Sequence, residues 1–556
     1  MLASRRVWKD EADVLVVGSG GAALSAATAV VQAGGRVIVF EKGDFVGGTT
    51  RWSDGAYYVA NNHFLRAKEV ADPRQDAISY FLSTAYPGRY RESEPRFGLP
   101  EREYKLIEAF YDQGATILEA LGASGVLKSM HGLRPDIFDH APQNRVPRGR
   151  VLVVERAPGK RGFGTDIIEQ FVAFLENREV PILVKHRVSG LERNRDGMIV
   201  GVKVESGDAT EFYRARKAVV FGTGGYTHDA DLVAGFQPGS IFGGTAVPTN
   251  RGDFVRIGID VGAMLGNMSN AWRSQIVLEE ALASPGNPQF KTQPSGVPCH
   301  LWQPPGDSMI LVNKSGRRVA NEKRAHNELA RMHLVWDPAE NEYPNQFLFM
   351  IYDSRSAGLF AGNYPLPHPH ERAGYVMQAD SIPHLALAIQ ERLDSLSPKI
   401  PTIKLADDFA EALTQQIARF NGDASQNEDR EFGRGTYPYD SEWHRDVYSI
   451  ARTDTVWPAN PGPNISLYPL DTSGPYYAII LAAGIVDTNG GPITNERAQV
   501  LDTKGMPIPG LYGAGNCVAS PAAQAYWGAG GTLGLAITFG AIAGREAAFE
   551  TVKDDI

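Results

Sequence analysis

Glycine residues near the amino terminus form a pattern that could bind phosphate. Gly18 and Gly20 come just after residues 13–17, a stretch of mostly apolar residues rich in valine, and Ala23 comes shortly after them. Glycines at this spacing permit a tight turn and let a phosphate approach the backbone, while a small residue at Ala23 lets a helix pack closely on the strand. Glu41 follows about 20 residues later, where a carboxylate can accept hydrogen bonds from a ribose. The pattern predicts a dinucleotide site.

The elements that must position these residues lie in the same stretch. Residues 13–17 and 36–40 predict two parallel strands, and residues 22–33 predict a helix between them that ends at Gly34 and Gly35. The positive end of that helix would face the phosphates. The alternative is a glycine-rich turn that binds no ligand.

Length and composition limit the class of protein. A chain of 556 residues predicts two or three domains, and 43% hydrophobic with 21% charged residues is typical of an α/β enzyme. The net charge of -9 argues against nucleic acid as a partner. The two cysteines, Cys299 and Cys517, form no CxxC pair, so no metal centre is expected.

Hydropathy gives no sign of export or of a membrane span. Charged residues at positions 9–11 and 13 interrupt the region where a signal peptide needs an apolar stretch. The longest nearly apolar runs fall short of the roughly 20 residues that span a bilayer. We therefore expect a cytoplasmic protein without a transmembrane segment.

The amino-terminal motifs resemble those of a known superfamily. GSGGAA at 18–23, VFEK at 39–42, GGTT at 47–50 and WSDGA at 52–56 look like the opening of the FAD-dependent fumarate reductase and 3-ketosteroid dehydrogenase superfamily. The resemblance implies non-covalently bound FAD. It also implies an α/β fold in which a discontinuous Rossmann-type FAD-binding domain, residues 1–273 and 471–556, carries an inserted α+β capping domain, residues 274–470.

Further glycine-rich motifs at 222–225, 510–516 and 528–534 extend the resemblance to the carboxyl-terminal part of the chain. NRGD at 250–253 is a further matching element. All these motifs, with those at the amino terminus, imply a set of cofactor-binding residues, most of which have small side chains or hydrogen-bonding groups. The expected set is Gly18, Gly20, Ala23, Glu41, Lys42, Gly47, Gly48, Thr49, Thr50, Ser53, Gly55, Val188, Gly224, Asp253, Gly515, Asn516, Thr532 and Leu533.

Two branches of the superfamily differ in how they hold the substrate. The dicarboxylate reductases use Arg and His, but the corresponding residues 481–484 and 524–527 contain no cation. The 3-ketosteroid dehydrogenases hold a carbonyl oxygen with a tyrosine and a glycine N–H four residues later, and Tyr526 and Gly530 stand in that relation. Two such donors would stabilise an enolate. The alternative is that Tyr526 is a packed aromatic residue.

The position of the base departs from the superfamily pattern. Counting five residues from Asn321 reaches His326, where the steroid enzymes have tyrosine and the fumarate reductases arginine. Imidazole, with a reference pKa near 6.5, can accept an α-proton at neutral pH. The alternative is a solvated histidine, with Arg324 or Tyr352 as the base.

A second departure concerns the substrate. The steroid enzymes have a further tyrosine after a Pro-Asp pair, whereas Pro135 and Asp136 are followed by Ile137 and Phe138. We expect apolar groups in the pocket there, which favours a smaller ring, as in the cyclohexanone dehydrogenases.

The expected function is that of an FAD-dependent desaturase, which introduces a C=C bond α,β to the carbonyl of a cyclic ketone. A cyclohexanone-like ketone is favoured over a 3-ketosteroid. The alternatives are an enoate or fumarate-type reductase fed by an external donor, and a flavin-bearing assembly or carrier protein. Because no NAD(P)H, haem or iron–sulfur motif is found, an external electron acceptor is expected, whether quinone, a soluble carrier or oxygen.

Overall fold

The fold begins with the strand, turn and helix that the sequence predicts. The computed structural model describes residues 7–283, 300–448, 450 and 457–553. Strand Asp10–Val17 leads through Gly18 into helix Gly21–Gln32, and the chain returns in strand Val37–Phe40. The two strands pair in parallel, with Val14 opposite Val37. Their apolar side chains are buried on both faces, as in a sheet covered by helices.

A first sheet brings the ends of several parallel strands to one edge. In spatial order these are Pro507–Gly513, Ala209–Phe221, Asp10–Val17, Val37–Phe40 and Ile182–Leu183. The strands that extend this sheet by antiparallel pairing are Gln499–Leu501, Ile199–Ser206 and Arg187–Arg193. Ligands of such sheets bind beyond the carboxyl ends of the strands, and three of these strands, Asp10–Val17, Ala209–Phe221 and Pro507–Gly513, end at glycine turns.

Helix Gly21–Gln32 packs closely against the carboxyl-terminal helix Gly531–Ala548. A Cβ atom at Gly540 would lie 2.2 Å from the carbonyl oxygen of Ala22, and one at Gly544 would lie 2.1 Å from that of Ala26. Since glycine alone fits at these positions, the small residues of the last helix fix its distance from the nucleotide turn.

A second sheet is antiparallel and lies in the middle of the chain. Its strands are, in spatial order, His300–Leu301, Ala271–Val277, Tyr476–Thr488, Phe347–Asp353 and Met309–Val312, with Met377–Ala379 also paired to Tyr476–Thr488. Helices Ile382–Leu396 and Phe409–Ser425 pack on one face. The predicted boundary after residue 273 falls within a strand of this sheet, and the division into domains stays a prediction.

The remaining elements connect the two sheets or cover them. The α-helices are His63–Ala67, Arg74–Ala85, Glu101–Ala123, Gly164–Glu176, Ala230–Phe236, Asp253–Asp260, Leu278–Ala283, His326–Arg331, Ser354–Leu359 and Pro438–Val447. Short 3-10 helices are Gly48–Trp52, Pro95–Gly98, Met332–Leu334 and Gly515–Cys517. The other short strands are Ala56–Tyr58, Ser129–His131, Val151–Ala157, Lys160–Arg161, Leu265–Gly266 and Gly491–Pro492.

The structure confirms the mixed α/β character and corrects one element. The sequence also predicts one strand over residues 180–188, but the structure has two strands there, Ile182–Leu183 and Arg187–Arg193, because Lys185 between them has a φ of +59°. Cys517 is buried, whereas Cys299 lies outside the described residues. In the described ranges, no helix combines the length and apolar character needed to cross a membrane.

Candidate active site

The first glycine of the turn is required by the backbone. Gly18 has a φ of +99°, and a Cβ atom there would lie 2.5 Å from the carbonyl oxygen of Gly222 on the neighbouring strand. Gly222 in turn leaves no room for a side chain, since its Cβ would lie 2.7 Å from the nitrogen of Ala23. Strand, turn and helix are therefore locked together, which supports the predicted packing role of Ala23.

Gly20 occupies a different environment. Its φ of -75° and ψ of -177° are open to any residue, and the nearest atom to an added Cβ would be the hydroxyl of Thr50, at 3.6 Å. Space beside this backbone is thus left for a ligand rather than filled by protein. A hydrogen bond from outside the turn stabilises it, because Gly21 donates its N–H to the Thr50 hydroxyl at 3.0 Å.

Glu41, the predicted ribose contact, directly follows strand Val37–Phe40. Its carboxylate accepts hydrogen bonds from the hydroxyl of Ser19 at 2.5 Å and from the N–H of Gly43 at 2.6 Å. The side chain is largely buried but contributes to a cavity wall. These bonds fix its orientation toward the ligand side of the turn.

Lys42 and Asp253 form an ion pair at the same end of the sheet, and Arg187 also donates to Asp253 at 2.8 Å. Burial opposes the charge of Asp253, but the two cations outweigh burial and lower the pKa of this carboxyl. Asp253 therefore stays ionised and holds both basic side chains at the cavity.

One cavity of about 1600 Å³ joins the nucleotide turn to the second sheet. Its wall includes the predicted cofactor residues except Ala23, Gly47 and Gly55. Those three act in packing: an added Cβ at Gly47 would lie 2.9 Å from the Arg51 side chain, and one at Gly55 would lie 2.7 Å from the Phe163 backbone. Since a single small-molecule site typically has roughly 300–1,000 Å³, this cavity can hold a dinucleotide together with a small substrate.

A buried carboxylate that sequence reasoning did not single out also lines this cavity. Asp487 accepts hydrogen bonds from Thr227, Asn250 and Asn516 at 2.8–3.0 Å and from the N–H of Gly225 at 3.1 Å. Burial raises its pKa, and these bonds oppose the rise. Asp487 ties the glycine turn at 222–225 to the predicted contact residue Asn516, so it organises one wall of the site.

Tyr526 and Gly530 meet at the wall of the cavity. The Tyr526 ring is 5% exposed and stands edge-to-face against Trp272, with ring centroids 5.6 Å apart. Burial raises the pKa of the phenol, and the neighbouring Gly530 N–H acts in the opposite direction. The phenol therefore stays protonated and can donate.

Gly530 itself cannot be replaced without moving the backbone. It has a φ of +78°, and an added Cβ would lie 2.3 Å from the backbone of Ala56 and Tyr57. It precedes the first turn of helix Gly531–Ala548, so the positive end of the helix dipole lies beside its N–H. Phenol, N–H and helix end together form a site suited to a developing oxyanion.

His326 lies behind this pair. Its ring is 1% exposed, and its centroid is 4.9 Å from those of Tyr526 and Trp302. Nδ1 lies 2.7 Å from the carbonyl oxygen of Arg273, so Nδ1 carries the proton and Nε2 has the basic lone pair. Burial lowers the pKa of His326 to about 4. The solvated alternative is wrong, although His326 is not among the cavity-lining residues, whereas Tyr526 and Trp302 are.

The two substitutes proposed for the base are placed elsewhere. Arg324 is tied to Asp440 at 2.8 Å and to the carbonyl oxygen of Ile137 at 2.6 Å. Tyr352 is buried in the second sheet and stacks on Tyr477 with centroids 5.1 Å apart. Neither is among the cavity-lining residues.

The expectation of apolar groups after the Pro-Asp pair needs correction. The Asp136 side chain points inward and forms a buried ion pair with Arg150 at 2.9 Å. The Ile137 N–H donates to the carbonyl oxygen of Trp527 at 2.8 Å. Neither Ile137 nor Phe138 is among the cavity-lining residues; Arg134 is. The segment therefore contributes a cation to the wall, not an apolar surface.

The expectation that a carboxylate would find no cation is also too broad. Residues 481–484 lie inside strand Tyr476–Thr488, and the cavity is reached only at its end, by Val486 and Asp487. That strand indeed contributes no cation. Two cations from other segments of the chain, Arg134 and Arg161, line the cavity instead.

Aromatic residues from separate parts of the chain complete the substrate side. Trp302 and Trp443 stack with ring centroids 6.3 Å apart, and both line the cavity with Tyr526. Trp527, by contrast, is a core residue whose indole N–H donates to Thr84 at 2.9 Å. The combination offers a flat apolar pocket beside the oxygen-binding pair.

Comparison with known proteins identifies the cofactor. A family model described as FAD binding domain matches residues 13–533. A 4-oxocyclohexanecarboxylate 2-dehydrogenase of Sinomonas cyclohexanicum is 29% identical over 98% of this chain and 94% of that protein. A 3-oxosteroid 1-dehydrogenase of Mycolicibacterium smegmatis is 28% identical over 97% of each.

The same architecture has been solved before. The crystal structure of 3-ketosteroid delta1-dehydrogenase from Sterolibacterium denitrificans, in complex with 1,4-androstadiene-3,17-dione, is 24% identical and covers 97% of this chain and 99% of that chain with a TM-score of 0.78. This likeness confirms the predicted fold. The glycine turn, the free space beside Gly20 and the size of the cavity fit the FAD that the family model implies. The chain belongs to the FAD binding domain family.

Proposed function

We propose that this protein is an FAD-dependent desaturase that introduces a C=C bond next to the carbonyl group of a cyclic ketone. The observation that carries the proposal is the meeting of the Tyr526 phenol and the Gly530 N–H on the wall of the cavity that also contains the nucleotide turn. Two donors at one point can hold a carbonyl oxygen and stabilise the enolate that forms from it. The substrate class agrees with the ketones named in the two dehydrogenase relatives.

The chain's own residues prepare the α C–H bond for cleavage. Tyr526 and Gly530 polarise the carbonyl, which makes the neighbouring C–H more acidic. The proposed proton acceptor is Nε2 of His326, whose ring lies directly behind the cavity-lining Tyr526 and Trp302, so a small displacement of these rings has to bring it to the substrate. The electron pair of the C–H bond moves into the enolate. Trp302 and Trp443 exclude water and hold the ring flat. When bound, FAD supplies the two-electron acceptor for the β-hydrogen. An external acceptor, whether quinone, a soluble carrier or oxygen, restores the oxidised cofactor.

The test is anaerobic mixing of the oxidised holoenzyme with cyclohexanone, with 4-oxocyclohexanecarboxylate and with a 3-ketosteroid. We expect at least one ketone to bleach the visible flavin band and to yield the α,β-unsaturated product in an amount equal to the flavin. If no cyclic ketone bleaches the band, the proposed function is wrong.

The second candidate is an enoate reductase, because the same oxygen-binding pair would polarise an enone. It predicts that the chemically reduced enzyme is reoxidised by an enoate much faster than the oxidised enzyme is reduced by a ketone. A fumarate-type dicarboxylate would need a cation for each of its carboxylates, whereas the oxygen-binding pair of Tyr526 and Gly530 is uncharged and suits a ketone oxygen. The cavity beside Tyr526 also argues against a carrier protein without chemistry of its own.

The pKa of His326 gives a pH dependence for the reaction. A buried imidazole with a pKa of about 4 is neutral, and therefore basic, above that pH. We expect the rate of flavin reduction to fall as the pH decreases through about 4, not through 6.5. In His326→Gln the remaining rate should be at least about a hundredfold lower and without this acidic limb.

His333 provides the control. It is buried and its pKa is also lowered to about 4, but its ring nitrogens face Gln346 and Gln275. Both histidines contribute to stability above pH 6.5 and lose that contribution as the pH falls toward 4, so folding must be followed by circular dichroism. His333→Gln should keep the limb; an unchanged limb in His326→Gln would assign the base to another group.

A further inference from the structure

We propose that Arg134 binds a carboxylate carried by the ring of the substrate, so that the natural substrate is a cyclic keto acid. The inference rests on the proposed ketone desaturation and names the substrate class of that reaction. It is carried by the position, the surroundings and the charge of one cavity-lining side chain.

Arg134 is half-buried in the cavity wall and lies over the ring of Trp443, with the guanidinium carbon 4.3 Å from the ring centroid. Stacking fixes the plane of the guanidinium and leaves its N–H edge available. Throughout the described part of the chain, the Arg134 side chain has no hydrogen bond and no ion pair. Its donors are therefore uncommitted at the surface of the cavity.

The nearby carboxylates do not neutralise this charge. Asp54 is paired with Arg161, and Asp446 is paired with Arg445 at 2.9 Å. Burial lowers the pKa of Arg134, and the attraction of Asp54 and Asp446 offsets only part of this cost of desolvation. A carboxylate on the ligand would remove that cost and could accept two parallel N–H bonds from the guanidinium.

The backbone holds Arg134 close to the oxygen-binding pair. Asp136 is anchored by Arg150 and by the hydroxyl of Tyr58 at 2.7 Å, and Ile137 is hydrogen-bonded to Trp527, the residue after Tyr526. Three residues of extended chain span at most roughly 10 Å. The guanidinium and the phenol line the same cavity, together with the Trp302 and Trp443 rings.

The arrangement predicts a substrate with two polar ends. The ketone oxygen would face Tyr526 and Gly530, the ring would pack on the tryptophans, and the carboxylate would face Arg134. A ketone without the acid would leave the guanidinium unpaired in the complex, which weakens binding in the transition state as well as in the ground state.

The experiment compares the holoenzyme's kcat/KM for 4-oxocyclohexanecarboxylate with that for its methyl ester, which keeps the ketone but removes the charge. The wild type should prefer the acid by about thirtyfold or more. In Arg134→Gln this preference should disappear, while the rate with the ester and the FAD content change little. Arg372→Gln removes a cation from the exposed part of the same cavity wall and should keep the preference.

The outcomes separate the two proposals. If neither the acid, the ester nor any other cyclic ketone is oxidised, the proposed function fails. If the wild type oxidises the acid and the ester equally well, or if Arg134→Gln retains the preference for the acid, the assignment of Arg134 is overturned and the desaturase remains. If Arg134→Gln does not fold, the acid-to-ester ratio of kcat/KM in the wild type and in Arg134→Lys still tests the assignment. A lysine keeps the charge but cannot form the two parallel bonds, so Arg134→Lys should keep only part of the preference for the acid.

Discussion

Replacing Tyr526 with phenylalanine should lower the rate of flavin reduction by a ketone about a hundredfold to a thousandfold while FAD stays bound. The substitution removes one of the two donors to the developing oxyanion, and the loss of such a donor costs roughly 3–4 kcal/mol of transition-state stabilisation. The ring remains, so its packing against Trp272 and His326 is kept. Stopped-flow measurement of the flavin band under anaerobic conditions gives the rate directly.

Tyr512→Phe is the matched control for this experiment. Tyr512 is also buried, and its hydroxyl donates to Glu550 at 2.6 Å, but it lies outside the cavity wall. It should lose some thermal stability and keep its turnover. If Tyr526→Phe reduces its flavin as fast as the wild type, the phenol is a packed aromatic group and the desaturation mechanism has to be abandoned.

The nucleotide-binding part of the site could be predicted from the sequence because it is formed by residues that are close together in the chain. Gly18, Gly20 and Glu41 lie in one continuous strand, turn, helix and strand, so their spacing along the chain determines their positions in space. Most of the other cofactor residues flank short glycine turns and carry a similar local signature. Gly47 and Gly55 were placed against the cofactor by resemblance, yet an added Cβ there would meet protein atoms.

The substrate side could not be derived in this way. Arg134, Trp302 and Trp443 come from irregular or capping segments that are far apart in the sequence, and no periodicity links them. Asp487 lies near the end of the largely apolar strand Tyr476–Thr488 and becomes recognisable only when the donors of Thr227, Asn250 and Asn516 surround it. Tertiary packing, not local pattern, brings these groups together.

His326 illustrates the limit of counting from a motif. Its position five residues after Asn321 correctly leads to the ring beside Tyr526. Neither its burial nor the Arg273 carbonyl oxygen that selects its tautomer could be read from neighbouring charged residues. The expected acidic limb consequently moves from neutral pH to about 4.

Replacing Gly20 with alanine should weaken FAD binding in a protein that otherwise folds normally. The backbone conformation suits alanine, and the added methyl group would meet no protein atom closer than 3.6 Å. The methyl would instead occupy the space where the pyrophosphate approaches the turn. Losing one charge-assisted bond from the backbone costs roughly 1.5–3 kcal/mol, so Kd for FAD should rise about tenfold to a hundredfold. Titration of the apoprotein with FAD measures this change.

The comparison with two other glycines tests the reason for the effect. Gly18→Ala should destabilise the apoprotein itself, because its φ of +99° and the Gly222 carbonyl oxygen at 2.5 Å leave no place for a Cβ. Gly422→Ala lies on an exposed helix surface with no neighbour within 4 Å and should gain about 1 kcal/mol of stability with unchanged FAD binding. An unaltered Kd in Gly20→Ala would mean that the phosphates do not lie against this turn, because no atom of the described residues occupies the space that the methyl group would take.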